Sequence, residues 1–542
     1  MQQQAAALTP DQRIQVAEYL VRADRKDWKT PPAPVMCTGE AARFDLSRPP
    51  APVGWGYDNK RFTRAAVAGL EAADVPRLKL KWAFAFPSAL RARSQPVAAM
   101  GAVFVGSHDG SVYAFDLETG CVRWTSKVSA EVRTAVVVEP WAPGTKPARN
   151  PRLFFGDLLG RVYAMDALTG QVLWRARPDD HANATITGTP TPYGDTLYVP
   201  VSSLEVVSAI DEKYACCTFR GSILAYDAAS GKRLWQTFTV GKPKVVRQLP
   251  SGHKLWGPSG VAIWNSPALD EKRGVLYFTT GDNYSPPTTG LSDAVIAMDL
   301  KTGRIKWSYQ ALAGDYWNTA CQMTDRTNCP EGNGPDFDFG AAAILAKASD
   351  GREYVLAGQK SGWVYALDPK NGKLVWKTRV GRGGIMAGVY FGMAVKGDLL
   401  FVPISDPPDG ETYDVPARPG IYALDIRTGE FVWKAPNDRS KCGSLGPACE
   451  PGIAAPATVI DDLVAAGSSD GWMRFYEAKT GRIVWEFNTV QDFVTVGGGT
   501  ARGGSMGGSA GQLAWHGTLV VPSGYAFSGR MGGNVLLVFG VE

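Results

Sequence analysis

The chain has only four histidines in 542 residues and not one Cys-x-x-Cys pair. A structural zinc site, which needs such ligands at close fixed spacings, is therefore not expected. No apolar run approaches the length of a membrane-spanning helix. The opening MQQQAAALTPDQRIQ lacks the charged-then-apolar layout of a signal peptide, so the sequence shows no export address of its own. Neither charge sign dominates: 57 Lys and Arg stand against 52 Asp and Glu, the basic residues are scattered, and nothing points to nucleic acid. The glycine-rich VGGGTARGGSMGGSAGQ near the C-terminus has no helical pattern after it and no GK[ST], so it reads as a close-packed loop rather than a phosphate loop.

What the chain does have is a repeated phrase. YAFDLETGCVRW, from Tyr113 to Trp124, returns as YAMDALTGQVLW, LAYDAASGKRLW, IAMDLKTGRIKW, YALDPKNGKLVW, YALDIRTGEFVW and RFYEAKTGRIVW, ending at Trp174, Trp235, Trp307, Trp376, Trp433 and Trp485. Each copy encodes a strand, a tight turn and a return strand: Tyr113 and Phe115 alternate, Asp116 bonds its own backbone, Gly120 supplies a positive φ, and Val122 and Trp124 start the way back. The Trp intervals of 50, 61, 72, 69, 57 and 52 residues suit four-stranded blades with variable loops better than short helical repeats. A further Trp in LKLKW, Trp82, has no phrase before it, and the C-terminal NVLLVFGVE has no Trp after it. Joined, the two halves close a ring. The predicted fold is all-β, an eight-bladed β-propeller over residues 78–542, preceded by a helical segment (1–29) and a linker and lead-in (30–77).

Eight cysteines argue for an oxidising compartment over a reducing cytosol. Cys321/Cys329 and Cys442/Cys449 read as local disulfides, which leaves Cys37 and Cys121 as a long-range pair and Cys216-Cys217 as neighbours. Leu8 to Asp27 reads as an amphipathic helix with Thr9 or Asp11 as cap, Pro10 in its first turn and Ile14, Val16, Ala17, Leu20 and Val21 on its apolar face.

The lead-in WGYDNKRFTRAAVAGLEAADVPRLKLKW and the AxDxxTGxxxW phrases resemble the quinoprotein alcohol dehydrogenases, from about Trp55 to the end. The resemblance implies pyrroloquinoline quinone (PQQ) and calcium near the propeller axis, a periplasmic location and cytochrome c as electron acceptor. It also implies site residues. Glu205 in SSLEV holds the place of a calcium-binding Glu, and a carboxylate is what a hard cation needs. Adjacent Cys216-Cys217 is similar to a vicinal disulfide lying on one face of the quinone. Trp264 corresponds to a Trp on the opposite face, and eighteen residues later Asp282, with Asn283 beside it, falls where the family has a calcium-binding Asn. The base position of the family phrase HDxWD falls on Asn318, which cannot take a proton; Asp315 is assigned as the base instead. Lys360 in QKSG matches a basic residue on the quinone oxygens. Thr187 and Ser202 match hydroxyls that bond the cofactor carboxylates, and Arg133 is a candidate for the same task.

Inserted just after Glu205, the cysteine pair is placed as in the polyvinyl alcohol dehydrogenases, a branch of the family in which a cytochrome c domain precedes the propeller. LTPDQRIQVAEYL resembles the last helix of that domain, with an ordinary packing helix as the alternative; without a CxxCH no haem is expected in this chain. The implied activity is oxidation of secondary alcohol groups, those of polyvinyl alcohol first, to ketones. Alternatives are the same chemistry on small alcohols or sugars, and a non-catalytic propeller used for binding or assembly, since outer-membrane assembly propellers carry the repeated phrase too.

Overall fold

The computed structural model describes residues 33–50 and 59–541, together with the isolated positions 9, 12 and 15. The N-terminal helix therefore lies outside the described residues, apart from Thr9, Gln12 and Gln15. Thr9 and Gln12 bond reciprocally: the Gln12 N–H donates to Thr9 Oγ1 (3.2 Å) and the Thr9 N–H to Gln12 Oε1 (2.9 Å), as in a capping box.

Eight sheets form the blades, six of four strands and two of five, all antiparallel inside the blade but for one added edge strand. In chain order, blades 1 to 7 occupy residues 97–127, 137–176, 184–238, 268–310, 344–379, 394–436 and 458–488. Blade 8 takes its outer strand from Leu78–Ala85 and the others from Val535–Val541, Thr518–Ser523 and Leu513–Trp515. The ring thus closes by pairing the two ends of the propeller, with Leu78 opposite Val541 and Ala85 opposite Val535. Closure of this kind leaves no sheet edge between the first and last blades.

The repeated phrase turns out to be an interlock between blades. Its Asp makes the expected turn, Asp116 accepting from the Thr119 N–H (2.9 Å). The indole N–H of Trp82, Trp124, Trp174, Trp307, Trp376 and Trp433 then donates, at 2.8–3.1 Å, to the carbonyl of the residue just after the turn acid of the next blade. The same rings sit over the turn glycines. A Cβ on Gly120, Gly170, Gly231, Gly303, Gly372, Gly429 or Gly481 would lie 2.5–2.6 Å from the Trp of the preceding blade. Glycine is needed there twice over, for a φ of +67° to +75° and for the space.

Segment 59–63 crosses the centre of the ring. Asn59 Nδ2 donates to Ser266 O and Ala343 O, beside blades 4 and 5, while Arg61 reaches Ala457 O and Gln95 Oε1, beside blades 7 and 1. Phe62–Thr63 adds to blade 7 as a parallel strand. Four disulfides are present: Cys37–Cys121, Cys216–Cys217, Cys321–Cys329 and Cys442–Cys449. Cys37–Cys121 pins residues 35–37 along the outer edge of blade 1, where the Val122 N–H donates to Val35 O and the Cys37 N–H to Val122 O.

Candidate active site

A cavity of about 480 Å³ opens among the loops at one end of the ring. That is the size of an organic cofactor site. Trp264, Arg133, Thr187, Ser202, Asp282 and Lys360, all drawn from the sequence analysis, line it. So do Arg93, Tyr284, Trp317, Tyr390 and the pair Asp336 and Asp338.

The acidic side chains are the centre of the arrangement. Asp282 follows the blade 4 strand Val275–Thr279, whereas Asp336 and Asp338 come from the long connection between blades 4 and 5. Their carboxylates present oxygens within 4.8 Å of one another, the single such acidic group among the described residues. Asp338 Oδ1 accepts from the Asp282 N–H (2.7 Å), and Lys360 Nζ donates to Asp336 Oδ1 (2.7 Å) and lies 3.4 Å from Asp338 Oδ2. Burial first, then mutual repulsion with Asp338 and Asp336, drives the Asp282 carboxyl well above its ordinary range. Asp336 is raised for the same first reason, with Lys360 working against it and Asp338 adding to it. Burial alone would neutralise Lys360, but the Asp336 and Asp338 carboxylates outweigh it and hold the ammonium charged. Asp282, Asp336 and Lys360 are buried and Asp338 half-buried, and a hard cation would offset the repulsion that the three carboxylates meet on ionising together.

Polar atoms without partners point into the same space. Asp282 Oδ2, Thr187 Oγ1 and Arg133 Nε are buried and have no hydrogen-bond partner among the described residues. Such atoms are costly unless a ligand meets them. The wall above them is aromatic: Trp264 stands edge-on to Tyr390 and Phe391, with ring centroids 6.1 and 5.8 Å away. Gly340 is the residue that lets Trp264 in, because a Cβ there would meet its Cη2 at 2.1 Å.

Six residues named in the sequence analysis are placed elsewhere. Glu205 does not join the acidic group. Its carboxylate is fully buried and committed to the chain, accepting from the Thr218 N–H (2.8 Å), the Phe219 N–H (2.7 Å) and the Tyr214 hydroxyl (2.8 Å), with His181 Nε2 3.4 Å away. Asn283 is likewise spent, donating to Ser259 O and accepting from the Thr289 N–H. Asp315 is buried but does not line the cavity; its oxygens accept from the Phe337 N–H (2.8 Å) and the Asp336 N–H (3.3 Å). Burial pushes its carboxyl up to about 6. The Cys216–Cys217 disulfide packs in one apolar cluster with Trp264 and Tyr284, behind the cavity wall, and Cys216 borders a separate depression. Asn318 is structural, capping the turn Thr319–Gln322 and donating to Tyr284 O and Asn328 O.

Sequence reasoning missed Asp336 and Asp338. Their signal was available in GPDFDFG, where two acids stand two residues apart between glycines. A twenty-residue excursion between Asp315 and Asp336 hid it.

Ring and cavity together define a β-propeller with an acid-lined cavity of cofactor size among its loops. A family profile described as glucose/ethanol/alcohol dehydrogenase, β-propeller domain, matches residues 54–380, and one for outer membrane protein assembly factor BamB matches residues 360–521. The chain is 40% identical to a polyvinylalcohol dehydrogenase of a Pseudomonas species, over 93% of this chain and 79% of that one. It is 35% identical to a polyvinylalcohol dehydrogenase of Sphingopyxis sp. (strain 113P3), over 99% and 86% respectively. The fold is also that of a europium-containing methanol dehydrogenase (TM-score 0.60, 18% identity, 89% of this chain and 96% of that one). The chain belongs to the PQQ-dependent quinoprotein alcohol dehydrogenases, and it is an enzyme of that class. The residues present fit the cofactor, a flat quinone bearing carboxylates: Trp264 offers an aromatic face, while Arg133 Nε and Thr187 Oγ1 are unpaired donors for its anionic groups.

Proposed function

We propose that the chain oxidises secondary alcohol groups of polyvinyl alcohol to ketones, using PQQ and a hard cation held by Asp282, Asp336 and Asp338. The observation that carries this reading is the close triad of carboxylates beside Lys360, two buried and one half-buried, in a cavity where Arg133, Thr187 and Asp282 present atoms that have no partner among the described residues. When bound, the quinone supplies the two-electron acceptor for the alcohol carbon.

The chain's own residues do the rest. Asp336 Oδ1 is tied to Lys360, and the second oxygen of Asp336 is the base that takes the alcohol proton. Lys360 works against the burial that raises the Asp336 carboxyl, easing its ionisation once a cation is bound, and it is a donor for the oxygen that gains charge. Asp282 and Asp338 complete the cation's oxygen ligands; calcium is the first choice, and the third carboxylate also suits a trivalent ion. Trp264, Thr187, Ser202 and Arg133 orient the cofactor. Leu204, Val207 and Phe527, each more than a third exposed where they line the cavity, give the rim an apolar character matched to the methylene backbone of the polymer. Cytochrome c is the acceptor that would reoxidise the cofactor, and four disulfides suit a periplasmic location.

The test is dye reduction by the purified chain with PQQ, comparing calcium with lanthanum and polyvinyl alcohol with a simple secondary alcohol. Activity that needs both quinone and cation and prefers the polymer is expected. Equal turnover of the small alcohol would remove the polymer from the reading, and activity without either addition would remove the site.

A further inference from the structure

The three carboxylates come from two loops that have no secondary structure in common, yet a cation site and a base tolerate misplacement of only about 0.5 Å. Something must fix one loop against the other. We propose that Asp315 is a positioning residue, a bracket that holds the Asp282 segment and the Asp336–Asp338 segment in register. The proposal rests on the assignment of the acidic triad above.

Asp315 grips both sides. Its carbonyl accepts from the N–H of Asn283, the neighbour of Asp282, at 3.3 Å, and the Trp317 N–H returns a bond to Asn283 O at 2.8 Å. Tyr316 and Asn283 are paired there as a parallel bridge. On the other side the Asp315 carboxylate takes the Phe337 N–H on Oδ2 (2.8 Å) and the Asp336 N–H on Oδ1 (3.3 Å). A carboxylate is the side chain that can accept on both oxygens at this reach; an amide would turn an NH₂ toward one of the two donors. The approach also depends on Gly334, whose N–H donates to Tyr316 O (2.9 Å) and where a Cβ would stand 2.1 Å from Asp315 Oδ1. Two residues far apart in sequence therefore serve one contact, and substitution of either should disturb the same geometry.

Terbium luminescence, excited through the tryptophans of the cavity wall, reports cation binding by the cofactor-free chain, and dye reduction by the reconstituted enzyme reports turnover. Asp315→Asn is expected to weaken terbium binding about tenfold or more and to lower kcat by about 10- to 100-fold, with KM for the alcohol nearly unchanged. Gly334→Ala, which keeps the carboxylate, is expected to shift both readouts the same way, and it carries the test if Asp315→Asn does not fold. Unchanged terbium affinity and kcat in the folded variants would overturn the proposal. So would an Asp315→Asn protein that binds terbium normally but has lost all turnover, because Asp315 would then be a proton acceptor. Asp336→Asn serves as the control: if it keeps normal turnover, the failure belongs to the reading of the triad rather than to the bracket.

Discussion

At the scale of single residues, burial and hydrogen bonding separate two kinds of carboxylate that look alike in the sequence. Glu205 and Asp282 are both buried acids near the cavity, but Glu205 satisfies three donors and Asp282 has an oxygen with no partner among the described residues. Opposite consequences of mutation follow. Glu205→Gln leaves one acceptor for the Thr218 N–H, the Phe219 N–H and the Tyr214 hydroxyl, and each donor left unmet in a buried site costs about 1–3 kcal/mol. It should lower the thermal midpoint by several degrees while terbium binding to the cofactor-free chain stays the same. Asp282→Asn should do the reverse, weakening cation binding with little change in stability, since a neutral amide avoids the burial and the repulsion by Asp338 and Asp336 that disfavour the ionised carboxyl in the cation-free chain. Swapped outcomes in thermal melts and terbium titrations would return Glu205 to the cation. Trp264 and Asp282, which the sequence links by their spacing, both line the cavity because the eighteen residues between them form a hairpin, Ala268–Asp270 paired with Val275–Thr279. The partners of Glu205 and Asp315, the N–H groups of Phe219 and Phe337, lie across insertions whose path the sequence does not fix.

Among the elements, the repeated phrase was legible in nearly all respects, and the reason is local. Turn acid, positive-φ glycine and alternating strand residues each act within a few positions, so their roles can be read without a partner. What could not be read locally was the second duty of the glycine, which faces the Trp of another blade. Gly372 and Gly351 make this testable, because both have positive φ (+71° and +86°) and so share the backbone cost of gaining a side chain. A Cβ on Gly372 would lie 2.5 Å from Trp307, whereas one on Gly351 would meet nothing within 4 Å. Gly372→Ala should therefore cost about 1–3 kcal/mol more than Gly351→Ala in denaturant unfolding, the excess being the displaced indole. Equal losses would mean that the Trp seat is loose and that the interlock adds little to blade packing.

Over the whole molecule, the decisive element is the last strand, Val535–Val541. Successive side chains of a strand point to opposite faces, and here the two faces serve different neighbours. Leu536 and Val538 join the core shared with blade 1, while Val535, Leu537 and Phe539 join the core shared with blade 7. Its partner strand does the same, Trp82 and Phe84 facing one way and Leu78 and Ala83 the other. The split of blade 8 between the chain ends was readable from an orphan Trp and an orphan strand; the crossing of Asn59 to Thr63 was not, because Asn59 and Arg61 bond to backbone carbonyls and to the Gln95 and Thr458 side chains at positions remote in sequence that no local pattern links. If the strand is the keystone of the ring, its loss cannot stay local. Removing residues 535–542 leaves Leu78–Ala85 and Thr518–Ser523 with open edges and strips both flanking cores of fully buried side chains. Single truncations in the strand set the scale, since Leu537→Ala should cost about 2–5 kcal/mol. The shortened chain should then fail to give a cooperative unfolding transition or to bind the cofactor, although every residue lining the cavity is still present. A soluble truncated protein that melts cooperatively near the full-length midpoint would show instead that seven blades and the central crossing hold the cavity without closure.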